Sequence, residues 1–390
     1  MELSISLGLL AAFISALLVV VFVHPRVVAF AKKRNIVDNP DARKLQRNPV
    51  PVMGGVAVFF GLIAGLCVAS IFLNISELLP IFVAVSVILS VGVVDDVSEL
   101  SPRLRFVIEI AMALMVMFWT GMSLNDLQGL WGYGAIPLWL SLPLTVVSVV
   151  GIINAINLVD GVDGLSSGYC ILGSVAFGLL FLKAGYYLPL LLCCLSVGAL
   201  LPFFFHNVFG CKTKMFIGDG GSLMMGVIMS TYVVVTVSTN GPCEVFVDGG
   251  VGLVAFTLAV MSVPVFDTVR VMTMRIVRGK SPFRPDKTHL HHLFIELGFS
   301  HVGTTVSVLL LNVMVVVAWF VSYKLGASID MQFYVVIVAG LALTAGFYKM
   351  MRLAIANNWA IYRLLQRVGA KTHVENNRGW LALQKIVDLK

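Results

Sequence analysis

The sequence is poor in charged residues. Asp, Glu, Lys and Arg together make up 12% of its 390 residues, about half of the roughly 25% that is usual in soluble domains. Hydrophobic residues account for 59%, and the mean hydropathy is +0.96. A water-soluble fold cannot hide this much apolar surface, so most of the chain needs a bilayer as its solvent. We expect an all-α integral membrane protein, because helices satisfy their own backbone hydrogen bonds in lipid.

The cysteines of the sequence show no spacing typical of a disulfide framework. The six cysteines lie mostly in apolar runs, without a C-x-x-C pair of metal-ligand spacing. We interpret them as small apolar core residues. A secretory signal is also missing, because Glu2 is acidic and the apolar run that follows extends to Val23. We expect this run to be a retained first helix.

Long apolar runs recur along the chain. A hydrocarbon core of about 30 Å needs about 20 helical residues per span. Eleven segments qualify when short ones beside polar loops are accepted: 4–23, 53–73, 80–94, 104–119, 136–153, 167–183, 186–205, 223–239, 250–273, 303–323 and 331–350. The sequence therefore predicts about eleven transmembrane helices.

Basic residues predict the orientation of these helices, because they stay on the cytoplasmic side. With the N-terminus outside, Lys183 and Lys324 are the only two of the 27 Lys and Arg residues in outer segments. We therefore expect a periplasmic N-terminus and a cytoplasmic C-terminus. The basic residues behind the net charge of +7 then form a cytoplasmic surface that faces anionic lipid headgroups. Nucleic-acid binding is not needed to explain this charge.

The chain divides into a transmembrane domain, 1–350, and a cytoplasmic tail, 351–390. Residues 351–372 interleave Trp, Leu and Ile with Arg at helical spacing. This pattern is typical of an amphipathic helix at the membrane interface. A helix packed under the bundle is the alternative.

Polar clusters lie at the predicted cytoplasmic ends of the spans. Asp95 and Asp96 directly follow an apolar run, and adjacent carboxylates suit Mg²⁺ or a shared proton; an ordinary solvated helix end is the alternative. Glu109, one turn into the next span, needs a partner within the membrane. Arg105 is its nearest candidate.

Two further clusters combine acids with glycine. Asn157, Asp160 and Asp163 recur every three residues between Asn154 and Gly168, so that several oxygen-bearing side chains share one face of a turn or short helix. The alternative is a capped helix break. Asp219 lies in Gly-Asp-Gly-Gly-Ser (218–222), which offers a carboxylate and accessible backbone N–H groups. These features fit a metal-bridged phosphate site, although a tight turn explains them equally well.

The remaining clusters are basic. His289, His291 and His292 follow Arg284 closely, and the neighbouring cations favour anion binding over a zinc site or a structural role. Arg43, Lys44 and Arg47 lie in the first inner loop, where positive-inside bias alone explains them.

Four of these motifs together resemble one family. They are VVDD (93–96), NAINLVDGVDGL (154–165), FIGDGGS (216–222) and DKTHLHH (286–292). The chain looks like a polyprenyl-phosphate N-acetylhexosamine-1-phosphate transferase of glycosyltransferase family 4. It is most similar to the branch that uses UDP-GlcNAc and undecaprenyl phosphate. Leu290 interrupts the three consecutive histidines typical of the phospho-MurNAc-pentapeptide branch, and Val50–Gly55 departs from that branch's usual first loop.

The resemblance implies a role for each matching residue. The implied roles are a catalytic pair in Asp95 and Asp96, metal binding by Asp219 and Asn157, nucleotide binding by Asp160, Asp163 and Arg47, diphosphate and sugar binding by Arg284, His289, His291 and His292, and contact with lipid phosphate or nucleotide by Arg43 and Lys44.

The resemblance also implies a reaction at the cytoplasmic face of the bacterial inner membrane. GlcNAc-1-phosphate, or that of a related UDP-HexNAc, passes to undecaprenyl phosphate and UMP leaves. The expected cofactor is Mg²⁺, with Mn²⁺ as a substitute, and a homodimer is left open. The alternatives are the MurNAc-pentapeptide reaction, a secondary transporter, whose substrate groups belong near the midplane, and a non-catalytic scaffold.

Overall fold

The fold is a bundle of long helices in a computed structural model that describes residues 2–39, 49–98, 100–239, 241–282 and 287–388. The helices are α1 Glu2–Lys33, α2 Gly54–Ala69, α3 Leu79–Ser98, α4 Pro102–Thr120, α5 Leu138–Val159, α6 Leu165–Lys183, α7 Tyr187–Phe209, α8 Gly218–Val237, α9 Leu253–Val260, α10 Ser262–Val277, α11 Leu290–Glu296, α12 His301–Lys324, α13 Ile329–Leu341, α14 Phe347–Ala356, α15 Ala360–Ala370 and α16 Arg378–Asp388. A π-helical segment, Ala342–Gly346, joins α13 to α14. Strands β1 Val37–Asp38 and β2 Val50–Pro51 pair antiparallel.

Each of the eleven predicted apolar segments falls on a helix or on a pair of successive helices. Within the described residues, eight helices are long and apolar enough to cross a membrane, and a bent pair makes a ninth. The shorter apolar helix α2 lies outside that group. The expected all-α, multi-pass membrane protein is confirmed, whereas the number of spans and their orientation stay predictions.

The segment predicted as one span over 250–273 is broken. Helices α9 and α10 meet at Met261 with a bend of 74°. Pro264 has no N–H with which to bond the carbonyl oxygen of Val260, so the backbone hydrogen bonding of a continuous helix is interrupted there. That oxygen instead accepts hydrogen bonds from the Tyr169 hydroxyl at 2.6 Å and the Asn312 amide at 3.1 Å. Two polar side chains from neighbouring helices therefore satisfy the broken backbone.

Helix α8 is the centre of the bundle. All of its residues except Asp219 are buried, as expected for a helix that is apolar on all sides. The backbone at its N-terminus contacts the backbones of α2 and α3. A Cβ atom added to Gly55 of α2 would lie 2.3 Å from the Gly221 Cα. A Cβ atom added to Gly92 of α3 would lie 2.3 Å from the Gly220 Cα. The glycines of the GDGGS segment therefore permit a close approach of three helices.

The chain before α8 adds backbone pairing to this contact. The Phe216 N–H donates to the Pro51 oxygen at 2.8 Å, and the Gly54 and Gly55 N–H groups donate back to Phe216 and Ile217 at 2.9 and 2.7 Å. The starts of α2 and α8 are thus fixed to each other, directly beside Asp219.

The last span extends beyond the predicted boundary at 350. The candidate span continues through the π segment and α14 to Ala356. The residues that follow 350 are partly apolar, which allows this extension. The tail then contains two helices, α15 and α16, with a mixture of exposed apolar and basic side chains. Helix α16 packs against α7, with the Trp380 and Phe209 rings 4.6 Å apart. The placement of the tail at the membrane interface stays a prediction.

Replacing Gly92 by Ala should destabilise the bundle, because the new methyl group meets the Gly220 backbone at 2.3 Å and backbone cannot move aside as a flexible side chain can. Overpacking of this kind costs about 1–3 kcal/mol. Gly151→Ala is the matched control, since nothing lies within 4 Å of a Cβ at that helical position. Thermal unfolding of both variants in the same detergent should show a lowered Tm for Gly92→Ala alone; equal Tm values would contradict the proposed role of this contact.

Candidate active site

A cavity of about 470 Å³ lies where the polar motifs meet. Its wall includes six aspartates and two histidines but no Lys or Arg among the described residues that line it. The acids and histidines are Asp38, Asp95, Asp96, Asp160, Asp163, Asp219, His292 and His301. Residues far apart in the sequence are therefore brought to one acidic cavity.

Asp219 is held at the edge of the cavity by two partners. The Asn157 amide donates to its Oδ1 at 3.0 Å and to the Ser222 hydroxyl at 2.9 Å. Arg105 Nη1 lies 3.3 Å from its Oδ2. The Asp219 side chain is nevertheless 42% exposed, so its carboxylate remains accessible to a ligand. The predicted companions Asp219 and Asn157 are thus in direct contact.

Asp96 binds the N-terminus of helix α8. Its two carboxylate oxygens accept from the backbone N–H groups of Asp219 at 3.0 Å and Gly220 at 3.4 Å. These donors have no partner within the helix, so a carboxylate there satisfies both hydrogen bonding and the helix dipole. Gly218 permits this geometry, because its φ is +75° and a Cβ would lie 2.6 Å from Asp96 Oδ2. Asp96 therefore helps to place Asp219.

Asp95 has different partners from its neighbour. It accepts from the Leu100 N–H at 2.6 Å and from Arg105 Nη1 at 3.0 Å. Arg105 also lies 3.7 Å from Glu109, so the pairing expected for that buried acid is confirmed. The Asn154 amide adds a 2.5 Å hydrogen bond to Glu109. One arginine thus connects Asp95, Asp219 and Glu109.

Asp163 is buried and paired with two basic side chains. Lys214 Nζ lies 2.6 Å and His301 Nδ1 2.7 Å from its Oδ2. Burial by itself would raise the pKa of Asp163, but the His301 hydrogen bond and the Lys214 charge outweigh it and leave the pKa below its usual range. Asp163 is therefore a fixed carboxylate at neutral pH.

Asp160 faces the same cavity without a comparable partner. Removal from water, followed by the charges of Asp219, Asp96 and Asp163, raises the pKa of Asp160 well above its usual range. Two acids three residues apart therefore have opposite pKa shifts. A perturbed acid in a cavity is typical of a functional site, because stability alone gives no reason to keep it.

The three predicted histidines form a row that only partly reaches the cavity. His289 is buried and its Nδ1 lies 2.9 Å from Asp267, which also binds Arg270 at 2.6 Å. His291 packs against Gly161, where a Cβ would lie 2.3 Å from its Nε2, and burial lowers its pKa well below the usual range. His292 lines the cavity. The first two histidines therefore support the segment that places the third.

Four predicted site residues cannot be located. Arg43, Lys44, Arg47 and Arg284 lie outside the described residues. Their proposed contacts with nucleotide, sugar or lipid phosphate stay predictions.

Sequence reasoning missed three residues of this region. Asp38 lines the cavity from strand β1, His301 begins helix α12, and Lys214 precedes the GDGGS segment. Lys214 lies between an apolar helix and a motif already identified, which was a usable signal. Asp38 and His301 carried no signal, because a lone acid or histidine beside a helix is common.

The cavity has donors that fit a magnesium ion. No group of three or more His, Cys, Asp or Glu side chains within the described chain is preformed around a single metal position. Mg²⁺ does not require such a cage, since it is usually held by one or two carboxylates together with substrate phosphates and water. The accessible Asp219 carboxylate and the surrounding acids supply that kind of ligand.

Comparison with known proteins identifies the family. The family model described as "Glycosyl transferase family 4" matches residues 78–237, which contain Asp95, Asp96, Asn157 and Asp219. A probable undecaprenyl-phosphate N-acetylglucosaminyl 1-phosphate transferase of Bacillus subtilis (strain 168) is 30% identical over 301 residues, covering 75% of this chain and 79% of that protein. The chain belongs to glycosyl transferase family 4.

Two further relatives extend this similarity. An undecaprenyl-phosphate alpha-N-acetylglucosaminyl 1-phosphate transferase of Pasteurella multocida (strain Pm70) is 33% identical over 301 residues, which is 75% of this chain and 80% of that protein. A protein of the same description from Escherichia coli (strain K12) is 26% identical over 380 residues, or 97% of each chain. The family is one of phospho-sugar transferases, and the chain is an enzyme of this class.

The opposite pKa shifts predict opposite effects of two similar substitutions. When the pKa of a carboxyl is raised in the folded state, the protein loses stability as pH rises above the pKa of that carboxyl in the unfolded chain. When the folded-state pKa is lowered, the protein loses stability as pH falls from the unfolded-state pKa through the folded-state pKa. At pH 7.5 in EDTA, Asp160→Asn should therefore raise Tm by roughly 2 °C or more. Asp163→Asn should lower it, because Lys214 and His301 lose their partner.

Thermal unfolding in the same lipid nanodiscs from pH 3 to 8 checks both signs. The gain of Asp160→Asn should disappear near pH 4, about the unfolded pKa of Asp. The loss of Asp163→Asn should shrink only below that pH. Destabilisation by both substitutions at pH 7.5 would contradict the assignment for Asp160.

Proposed function

We propose that this enzyme transfers GlcNAc-1-phosphate from UDP-GlcNAc to undecaprenyl phosphate, with release of UMP. The observation that carries the proposal is the acidic cavity, which is lined by residues of all four family motifs. The names of the three relatives describe transfer of this sugar phosphate to this acceptor.

The chemistry is a displacement at phosphorus. An oxygen of the lipid phosphate forms a bond to the β-phosphorus of UDP-GlcNAc, and the bond from that phosphorus to the bridging oxygen breaks. UMP leaves with the electron pair. Both reactants are anions, so the enzyme's main task is to align them and to balance their charge.

The residues divide this task by their partners. Asp163, fixed by Lys214 and His301, is suited to binding the uridine end, with Asp160 beside it. His292, which lines the cavity, is suited to contacting phosphate oxygens. Asp95 is the candidate to align the lipid phosphate, and Asp96 positions Asp219 through the N-terminus of α8. A general base is not obligatory, because a phosphate monoester is already ionised near pH 7.

The electrostatics support a divalent cation as a further requirement. Six carboxyl groups line the cavity, and two phosphorylated substrates would add more negative charge. Mg²⁺ held by Asp219, with Asn157 as its companion, would neutralise the diphosphate oxygens when bound. Mn²⁺ is expected to substitute, since it takes the same oxygen ligands.

The choice of sugar follows from the relatives and from the histidine segment. Leu290 separates His289 from His291 and turns inward, with 1% of its surface exposed, so the segment does not present three consecutive rings. This arrangement, together with the names of the relatives, favours UDP-GlcNAc over the MurNAc-pentapeptide donor. We further propose that the site faces the cytoplasm of a bacterial inner membrane, as the distribution of Lys and Arg predicts.

A purified-enzyme assay with undecaprenyl phosphate and a panel of UDP-sugars tests the reaction. We expect UMP release with UDP-GlcNAc. Asp219→Asn should lower kcat by at least about 100-fold, as expected when a group that stabilises the transition state is lost. Asp248→Asn, an exposed acid between α8 and α9, is the matched control and should retain activity. Turnover only with the MurNAc-pentapeptide donor would overturn the sugar assignment.

Metal removal tests the cofactor separately. Activity should disappear in EDTA and return with added Mg²⁺ or Mn²⁺, because the acidic cavity otherwise repels the diphosphate. Binding of Mn²⁺, followed by electron paramagnetic resonance, should weaken in Asp219→Asn and stay unchanged in Asp248→Asn. Full activity in EDTA would refute the metal role while leaving the transfer reaction intact.

A further inference from the structure

A carboxylate of the tail is bound by the loop that precedes the active-site helix. Asp388, the last residue of α16, accepts hydrogen bonds from the backbone N–H groups of Cys211, Lys212 and Thr213 at 3.1, 3.1 and 3.2 Å. The Thr213 hydroxyl adds a fourth at 2.9 Å. Four donors from three successive residues therefore converge on one side chain.

This contact is not explained by the stability of α16 itself. An acid at the C-terminal end of a helix is unfavourable, because the helix dipole is negative there. Partial burial raises the pKa of Asp388, but the hydrogen bonds from Thr213 and the backbone N–H groups outweigh it and lower the pKa. The ring of Trp380 on Phe209 provides a second attachment of α16 at the end of α7.

Thr213 connects the tail to two other helices. His24 Nε2 lies 2.8 Å from the Thr213 carbonyl oxygen and His206 Nδ1 lies 3.0 Å from its hydroxyl. Because the carboxylate of Asp388 can only accept, the hydroxyl donates to it, and His206 must donate its Nδ1–H to the hydroxyl. The loop is thus held from α1, α7 and α16 in one hydrogen-bond arrangement.

The next residues of the loop reach the active site. Lys214 contacts Asp163 at 2.6 Å, and the Met215 carbonyl accepts from the Asn207 amide at 2.9 Å. The oxygen of Asn207 in turn accepts from the Gly164 N–H at 2.6 Å. Any shift of residues 211–213 would therefore be transmitted to the side of the cavity that contains Asp163.

We propose that Asp388 is a positioning residue for nucleotide binding, and that it acts by holding the 211–213 backbone so that Lys214 stays on Asp163. The substrate named in this inference rests on the proposed function. A purely structural anchor for the tail is the competing explanation, and it predicts no selective effect on the nucleotide.

Steady-state kinetics of the full-length enzyme in nanodiscs separate the two explanations. Asp388→Ala should raise the KM for UDP-GlcNAc about fivefold, with kcat and the KM for undecaprenyl phosphate within about twofold, the signature of lost ground-state binding. Asp388→Asn keeps an acceptor oxygen and should be intermediate. Glu375→Gln is the control, since Glu375 is an exposed acid of the same tail with His373 at 4.0 Å. An equal increase in the KM for UDP-GlcNAc and the KM for undecaprenyl phosphate would overturn the proposal.

A double-mutant cycle tests whether Asp388 acts through Lys214. Calorimetric dissociation constants for UDP-GlcNAc need no turnover, so a weakly active Lys214→Gln background remains measurable. Asp388→Ala should weaken binding about fivefold in the wild-type background and by less than about 1.5-fold in Lys214→Gln, because coupled residues are not additive. The same weakening in both backgrounds would refute the proposed route.

Hydrogen exchange reports the contact without any substrate. Deuterium uptake of a peptide covering 210–214 should rise in Asp388→Ala at the N–H groups of the three donors, and it should not rise in Glu375→Gln. Unchanged exchange would overturn the proposal. A wild-type enzyme that neither binds nor turns over UDP-GlcNAc would overturn the proposed function, whereas an active wild type with an unaffected Asp388→Ala would overturn this inference alone.

Discussion

The close contact of α8 with α2 and α3 is the constraint on which the rest of the site depends. Glycines on all three helices remove the side chains that would hold the backbones apart. The N-terminus of α8 then comes within reach of the Asp96 carboxylate, and Asp219 in the first turn of α8 lies beside Asn157 and Arg105. An apolar bundle can place a carboxylate at its edge in this way because Asp96 and Asp219 both have polar partners on neighbouring helices.

Much of the fold was predictable because it follows from the period and length of apolar runs. The helices needed only those features, and the motif residues Asp95, Asp96, Asp160, Asp163 and Asp219 came from local composition. The break at Met261 was missed, although Pro264 was visible, because apolar composition does not reveal which side chains will satisfy a freed carbonyl. Tyr169 and Asn312 do so from positions about 90 and 50 residues away.

The site was predictable as a set of motifs, but apart from the contacts of Asp219 with Asn157 and of Arg105 with Glu109 its contacts were not. The sequence predicted one role for three histidines, whereas packing buries His289 and His291 and leaves His292 lining the cavity. The partners of Asp163 lie on other elements, so no local pattern contains them. The contact of Asp388 was the least predictable, since an acid at the end of a tail helix indicates no partner until the loop at 211–213 is folded against it.

Two acids of the cavity, Asp160 and Asp163, differ in how their charge is balanced. Around Asp163 the protein supplies its own cations, and the acid is fixed as a carboxylate. Asp160 lacks such a partner and feels the charges of Asp219, Asp96 and Asp163. A folded chain gains nothing in stability from this excess of acid. On the proposed function it would become useful when a cation arrives with a phosphorylated ligand, because the attraction would be strongest where the chain has left the charge unbalanced. The paired Asp163 would then hold the nucleotide, and the unbalanced acids would attract the cation.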